Sequence, residues 1–234
     1  MKFGDYRRVT RVKVIAVLNQ KGGAGKTTIS THLARALQLM FEDETTILID
    51  SDPQGSARDF AAASADQPVM VIGLDRAASL GRDVRKLKAD YVVIDGAPQA
   101  AELAAAALVA ADLVLIPVQP SPYDIWATAE LVALVKQRQE ITDGKLKAAF
   151  VINRLITGTV IGNEIRDALA GYDLPVLNTA VHQRVEYPKT ANRGSTVLDS
   201  SADPAARAEI KELAAEAIAF LEGITEGVTE GVPA

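Results

Sequence analysis

The feature that most constrains this chain is a glycine-rich segment between an apolar stretch and a helical pattern. Residues 19–28 read Asn-Gln-Lys-Gly-Gly-Ala-Gly-Lys-Thr-Thr, and they follow the apolar residues 12–18. A strand, a glycine-rich turn and a helix together predict a phosphate-binding loop, in which backbone N–H groups and the helix N-terminus hold a polyphosphate. In such a loop Lys26 reaches the outer phosphates, and the Thr27 hydroxyl ligates Mg²⁺.

This segment has two other interpretations, a dinucleotide-binding turn and a turn that only joins a strand to a helix. The general pattern G-x-x-x-x-G-K-[ST] requires glycine where Gln20 stands, so the match is incomplete. The dinucleotide-binding pattern G-x-G-x-x-G fails because Thr28 occupies the place of its last glycine. A turn that merely joins a strand to a helix remains open, but two lysines and two threonines at these positions argue against it.

Acidic residues follow two further apolar stretches. Asp50-Ser51-Asp52-Pro53-Gln54-Gly55 comes after the strand predicted at residues 45–49, and Asp95 ends the strand predicted at residues 91–95. The carboxyl ends of parallel strands are where such sheets bind ligands, and a strand ending in aspartate predicts a carboxylate that reaches Mg²⁺ through water. Taken alone, each segment is also compatible with an ordinary turn.

The remaining pattern alternates strands with helices, which predicts an α/β fold with a doubly wound, mostly parallel sheet and helices on both faces. Further strands are predicted at 69–74, 113–118 and 147–152, and helices at 27–40, 58–65, 79–88 (capped by Ser79), 100–111, 125–139 and 205–221. His32 falls outside the apolar stripe of its helix and is predicted to lie at the surface or behind the site. Trp126 is predicted to be a core residue, with a dimer contact as the alternative.

Composition narrows the function. The chain of 234 residues has no cysteine, which excludes disulfides, cysteine-ligated zinc and iron–sulfur clusters. No apolar run approaches the roughly 18 residues of a spanning helix, and no signal peptide is apparent, so a cytoplasmic location is expected. Residues 12–221 are predicted to form a single domain built around the phosphate-binding loop, between a basic tail (1–11) and an acidic, disordered tail (222–234). The acidic end disfavours a membrane anchor.

The segment Lys-Gly-Gly-x-Gly-Lys-Thr-Thr, followed by Asp-x-Asp-Pro-Gln and then by Asp95, resembles the deviant phosphate loop of the ParA/MinD family of ATPases. The likeness is greatest to the small ParA-type plasmid partition proteins that lack an N-terminal helix-turn-helix. It implies a P-loop NTPase fold that binds ATP and Mg²⁺. The nucleotide-binding residues that it implies are Lys21, Gly22, Gly23, Ala24, Gly25, Lys26, Thr27, Thr28 and, for adenine, Asn153.

The same resemblance implies roles for individual residues. Lys21 would cross a dimer interface to the partner's nucleotide, and Asp52 would position the attacking water. Asp50 would lie near the magnesium ion, with Thr27 and Asp95 as the other metal-site residues. Lys21, Lys26 and Asp52 are thus the expected catalytic residues.

The resemblance also implies partners: a homodimer formed on ATP, non-specific DNA, and a small centromere-binding adaptor that stimulates slow hydrolysis. The net charge of −5 gives no sign of DNA binding by itself. Ordinary solvated charge, paired with Glu186 and Glu209, remains the alternative. The residues expected to contact DNA are Arg184, Lys189, Arg193, Arg207 and Lys211.

Two other functions remain open. A ParA-like ATPase could position another cargo, such as a microcompartment or a chemosensory cluster, with the same chemistry. A ligase similar to dethiobiotin synthetase would instead need a small-molecule pocket beside the γ-phosphate. Lys21 and the Asp-Pro-Gln segment argue against the ligase.

Overall fold

The protein is described by a computed structural model that covers residues 11–66, 68–157 and 161–224, with the backbone alone at 161–163. The predicted basic tail, except residue 11, and most of the predicted acidic tail therefore lie outside the described residues. No helix in the described part of the chain is long and apolar enough to cross a membrane.

Seven strands in the described residues form the sheet. They are β1 (Lys13–Val17), β2 (Thr46–Asp50), β3 (Met70–Gly73), β4 (Tyr91–Asp95), β5 (Leu113–Val118), β6 (Lys147–Leu155) and β7 (Val181–His182). Their order is β3-β2-β4-β1-β5-β6-β7, and the pairings between them are parallel. This arrangement confirms the predicted parallel α/β fold. It also brings the carboxyl ends of the strands to one edge, where ligands bind in such sheets.

Nine α-helices in the described residues cover the sheet. They are α1 (Lys26–Met40), α2 (Ser56–Ala63), α3 (Ala77–Asp83), α4 (Ala101–Ala110), α5 (Pro122–Trp126), α6 (Ala129–Ile141), α7 (Ile161–Ala170), α8 (Glu186–Ala191) and α9 (Pro204–Glu222). Ile15 of β1 is buried in a cluster with α1 and α9, whereas its neighbour Val14 is buried with α4 and α6 on the opposite face. Because strand side chains alternate between faces, both sides of the apolar strand are buried under helices.

Several sequence-based boundaries were wrong. The helix predicted at 125–139 is divided into α5 and α6, and the Thr128 hydroxyl at the division donates to the carbonyl of Ile125 at 2.6 Å. Ser79 lies inside α3 rather than capping it, and its hydroxyl donates to the carbonyl of Arg76. Strand β7 and helices α7 and α8 were not predicted. Strand β7, with 2 residues, and helix α8, with 6, are too short to show a periodic pattern.

The structure distinguishes the alternatives predicted for two side chains: His32 lies behind the site rather than at the surface, and Trp126 is not a core residue. His32 is 1% exposed and packs edge-to-face against Tyr187 of α8 with ring centroids 5.2 Å apart. Trp126 is 65% exposed and stacks in the same manner on Tyr123, also on the surface. The core assignment of Trp126 was therefore wrong, and His32 belongs to the interior because α8 covers it.

Candidate active site

The phosphate loop (residues 19–28) leaves the carboxyl end of β1 and enters α1 at Lys26. Gly25 has φ +96°, in the left-handed region that favours glycine. A Cβ there would also lie 1.9 Å from Nδ2 of Asn153. That amide donates to the carbonyl of Ala24 at 2.7 Å. Glycine is thus required at 25 for two reasons, and Asn153 braces the loop from behind. Its predicted contact with adenine remains a prediction.

Lys26 is folded over this loop. Its Nζ donates to the backbone carbonyl of Lys21 at 3.0 Å, and the residue is 6% exposed. Burial lowers the pKa of Lys26, while the charges of Asp95 and Asp52 act in the opposite direction. A partly desolvated ammonium group interacts more strongly with a phosphate than a fully solvated one does, so its position suits phosphate binding.

A buried carboxylate lies directly below the loop. Asp95 accepts hydrogen bonds from the Thr27 hydroxyl (2.7 Å) and the Ser30 hydroxyl (3.1 Å). Burial raises the pKa of Asp95 to about 7, with the nearby Asp50 contributing, whereas the two hydroxyls and Lys26 lower it.

The donor set of this pocket fits Mg²⁺. A hydroxyl and a carboxylate are hard oxygen ligands, and Mg²⁺ in nucleotide sites takes only one or two carboxylates and completes its shell with phosphates and water. Thr27 and Asp95 would hold such an ion, and their assignment to the metal site remains a prediction. In the residues that the structure describes, no group of three or more His, Asp or Glu that could hold a metal occurs.

The acidic turn after β2 (residues 50–55, called the switch loop below) lies beside this pocket, because Asp50 pairs in register with Asp95. Asp50 is fully buried, and its two oxygens accept hydrogen bonds from the backbone N–H groups of Asp52 (3.0 Å) and Arg58 (2.8 Å). Asp52 is partly exposed and accepts from the N–H of Gln54 at 2.9 Å. In this conformation Asp50 shapes the turn, and its contact with the metal remains a prediction.

Lys21 forms an ion pair within its own chain. Its Nζ lies 2.7 Å from Oδ2 of Asp124, which is 5% exposed. The other oxygen of Asp124 is buried without a hydrogen-bond partner in the described residues. The segment before α5 also supports the phosphate loop, since Gln119 donates to the carbonyl of Gly23 at 2.7 Å. Reaching a partner's nucleotide, as predicted for Lys21, requires that the pair with Asp124 break.

The five basic residues predicted to contact DNA fall into two groups. Arg184 forms ion pairs with Glu209 and Asp203, and its side chain is 24% exposed. It therefore joins the segment after β7 to α9 and its preceding residue Asp203, and stabilises the fold rather than offering a free cation. Lys189 is exposed and pairs at 3.2 Å with Glu186, one turn away. The remaining three, which make no ion pair with any other described residue, are Arg193, Arg207 and Lys211.

Three residues that the sequence analysis did not assign to the site also contribute to it. Arg58 contacts the switch loop, Asp124 holds Lys21, and His32 connects α1 to the segment after α8. His32 donates from Nδ1 to the carbonyl of Thr28 (2.7 Å) and accepts at Nε2 from the N–H of Val197 (3.1 Å), a tautomer assigned from these contacts. Arg58 was detectable in sequence as a basic residue just after the acidic turn, whereas the other two depend on long-range packing.

Comparison with known proteins supports a nucleotide site. Residues 15–197 match the family described as "CobQ/CobB/MinD/ParA nucleotide binding domain". The "Maintenance of carboxysome distribution protein A" of Halothiobacillus neapolitanus is 32% identical over 198 residues, covering 80% of this chain and 88% of that protein. The "Sporulation initiation inhibitor protein Soj" of Bacillus subtilis is 27% identical over 230 residues, covering 80% and 90%.

A solved structure supports the fold. The septum site-determining protein MinD of Pyrococcus horikoshii, complexed with Mg-ADP, superimposes with a TM-score of 0.71 at 17% identity, and the match covers 92% of this chain and 99% of that one. At this identity the likeness establishes a shared architecture.

Proposed function

The chain belongs to the CobQ/CobB/MinD/ParA family of nucleotide-binding domains, and on this premise we propose that it is a ParA-type ATPase that positions a cargo along DNA. It is an ATPase with ATP and Mg²⁺ as its ligands, since the family match extends over residues 15–197. The observation that carries the nucleotide chemistry of this proposal is the arrangement of Lys26, Thr27 and Asp95 at the carboxyl edge of the sheet.

The proposed hydrolysis uses residues from three strand ends. Lys26 binds the β- and γ-phosphates and stabilises the charge that spreads over the transferred phosphoryl group. Asp52 orients water for in-line attack, and Lys21, after leaving Asp124, adds a second cation at the partner's nucleotide. Thr27 and Asp95 would hold Mg²⁺, which would supply charge neutralisation at the phosphates.

In the proposed cycle, ATP joins two chains into a dimer that binds DNA non-specifically. Lys189, Arg193, Arg207 and Lys211 supply the phosphate contacts, and the dimer doubles their number, which strengthens an individually weak interaction. An adaptor protein then stimulates hydrolysis and releases the dimer. Arg184 is left out of this surface because acidic partners already neutralise it.

For the cargo, we favour a protein-shelled compartment. The support is the 32% identity to a carboxysome distribution protein over most of both chains. Plasmid or chromosomal DNA, carried with a centromere-binding adaptor, is the second candidate, because Soj of Bacillus subtilis matches at 27% identity. Deleting the gene distinguishes the two: clustered compartments with normal plasmid retention support the first, and plasmid loss with evenly spaced compartments supports the second.

The central experiment measures binding to non-specific duplex DNA without nucleotide, with ADP, and with ATP–Mg²⁺, at two salt concentrations. We expect binding only with ATP–Mg²⁺, weakened several-fold at the higher salt, because association releases counterions from the DNA and a higher salt concentration makes that release less favourable. Lys26→Ala is the control and should bind neither ATP nor DNA. Absence of DNA binding in every nucleotide state would contradict the proposal and favour the ligase, which would then require a small-molecule substrate for ADP release.

A further inference from the structure

Arg58, in the first turn of α2, contacts both sides of the switch loop. Its Nη2 donates to the carbonyl of Asp52 at 2.9 Å and approaches the carbonyl of Pro53 at 3.4 Å. Its Nε lies 3.4 Å from Oδ2 of Asp50, and its Nη1 lies 3.4 Å from Oδ2 of Asp75. A single guanidinium group thus connects the end of β2, the switch loop and the segment that follows β3.

The space around the Arg58 side chain is formed by two glycines. A Cβ at Gly55 would lie 3.2 Å from Nε of Arg58, and a Cβ at Gly73 would lie 3.1 Å from its Cδ. Both distances are shorter than ordinary van der Waals contact, so larger residues at 55 and 73 would displace the arginine. The side chain therefore occupies a defined slot, although 40% of it remains exposed.

The charges around Arg58 explain why a cation is needed there. Asp50 is fully buried, and a buried carboxylate without a partner is costly. Asp95 lies next to it in register, so the two carboxylates repel each other. The guanidinium of Arg58 offsets the charge of Asp50 and leaves Asp95 as the carboxylate directed at the metal pocket.

We propose that Arg58 is a positioning residue for hydrolysis, which acts by holding the main chain of Asp52 so that its carboxylate faces the attacking water. This inference rests on the proposed role of Asp52. In this role the side chain at position 58 must donate in two directions, toward the carbonyls of the switch loop and toward the carboxylates of Asp50 and Asp75. The planar fork of arginine provides both, whereas the single ammonium of lysine does not.

The test compares Arg58→Ala and Arg58→Lys with Arg82→Ala, a matched control whose side chain is 67% exposed and pairs with its neighbour Asp83. ATP affinity, single-turnover hydrolysis at saturating ATP–Mg²⁺, and the melting temperature are measured for each variant. We expect hydrolysis to fall about tenfold in both Arg58 variants, as loss of one charged hydrogen-bond network implies. ATP affinity should change less than about twofold, because only the hydrolytic step depends on the position of Asp52.

Chemical rescue separates positioning from mere folding. Ethylguanidinium added to Arg58→Ala should restore part of the lost rate, since the slot opens to solvent. An unchanged rate in Arg58→Ala would overturn the inference. A parallel loss of ATP affinity and melting temperature without rescue would also overturn it, by showing a purely structural role.

Asp52→Asn distinguishes this inference from the proposed function on which it rests. If Asp52→Asn hydrolyses ATP at the wild-type rate, the proposed role of Asp52 fails, and the inference about Arg58 fails with it. If Asp52→Asn is inactive while Arg58→Ala retains full activity, only the inference about Arg58 is wrong. If both variants lose hydrolysis and ethylguanidinium restores it in Arg58→Ala, the result supports both the role of Asp52 and the inference about Arg58.

Discussion

At the scale of single residues, Lys21 depends on a partner 103 positions away. The pair between Lys21 and Asp124 joins the phosphate loop to α5, with the lysine side chain 38% and the aspartate side chain 6% exposed. Breaking such a half-buried pair costs free energy, so the pair opposes any conformation in which Lys21 points to another chain. The pair is therefore expected to disfavour dimerisation in the absence of nucleotide.

Replacing Asp124 with Asn tests this expectation. The neutral amide holds Lys21 less firmly, so the dimer should form at an ATP concentration several-fold lower than in the wild type, as measured by sedimentation velocity. Asp173→Asn is the control, since it removes an exposed carboxylate paired with Lys136 on the surface. Equal ATP dependence in Asp124→Asn and the wild type would show that the pair does not restrain Lys21.

His32 is the second residue whose environment has a measurable consequence. Burial lowers the pKa of His32 to about 4, whereas the hydrogen bond to Thr28 and the charge of Asp199 act weakly in the other direction. In the folded protein the ring of His32 therefore stays neutral down to about pH 4. In the unfolded chain the ring has the ordinary pKa of about 6.5 and is already protonated at that pH. Acid should consequently favour unfolding.

The sign follows from proton binding. Between about pH 6.5 and pH 4 the unfolded state binds the extra proton, so the contribution of His32 to stability falls with falling pH, by at most about 3 kcal/mol. The raised pKa of Asp95 makes its own contribution to stability grow as the pH falls. Because Asp95 is present in both the wild type and His32→Gln, this contribution cancels when their free energies of unfolding are subtracted. Urea unfolding of the two proteins should show a gap that narrows on acidification. A gap independent of pH would contradict the buried neutral histidine.

At the scale of elements, the turn that follows α8 packs against the end of α2 through Gly194. A Cβ at Gly194 would lie 2.3 Å from the backbone nitrogen of Ser64 and 2.5 Å from the carbonyl of Phe60, and the residue has φ +59°. The segment that carries Lys189 and Arg193 is thus pressed against the helix that follows the switch loop.

Substituting Gly194 with Ala should destabilise the protein by about 3 kcal/mol, from the strained backbone and the clash with a rigid helix end. Gly144→Ala is the matched control, because Gly144 has φ +73° but nothing lies within 4 Å of the position that a Cβ would take. The control therefore loses only the free energy of forcing alanine into the left-handed backbone region, about 1 kcal/mol. If thermal unfolding shows that the two variants lose similar amounts of unfolding free energy, the contact between this turn and α2 can rearrange at little cost, contrary to the prediction.

At the scale of the whole molecule, the basic residues of the last third have different energetic roles. Arg184 lies within an acidic cluster, and contact with Glu209 and Asp203 holds its pKa above the ordinary value. Lys189 and Arg193 are exposed. Charge on the surface can bind a polyanion, whereas charge already neutralised inside the chain mainly stabilises the fold.

The paired variant Lys189→Glu/Arg193→Glu should therefore weaken ATP-dependent DNA binding more than about tenfold and reduce its dependence on salt, with the melting temperature nearly unchanged. Arg184→Ala should do the reverse: it leaves Glu209 without its cation, lowers the melting temperature, and affects DNA binding only through stability. If Arg184→Ala lowers DNA affinity at an unchanged melting temperature, the division between the two groups is wrong.

The sequence by itself determined the features that local pattern encodes. The phosphate loop, the aspartates at the ends of β2 and β4, and the parallel α/β architecture were predictable, because apolar runs and glycine positions act through neighbouring residues along the chain. Thr27 and Asp95, both predicted to belong to the metal site, lie within hydrogen-bond distance, since the phosphate loop and the end of β4 share the carboxyl edge of the sheet.

Only the tertiary structure decided how distant residues pair. Three contacts join segments that are far apart in the sequence, so no local pattern could predict them: His32 under α8, Lys21 with Asp124, and Arg58 with Asp75. The exposure of Trp126 likewise depends on how its helix packs on the rest of the fold. Each depends on the packing of one element over another, and packing is set by shape and charge across the whole fold. The same kind of side chain can thus be a surface cation, like Lys189, or an internal brace, like Arg184.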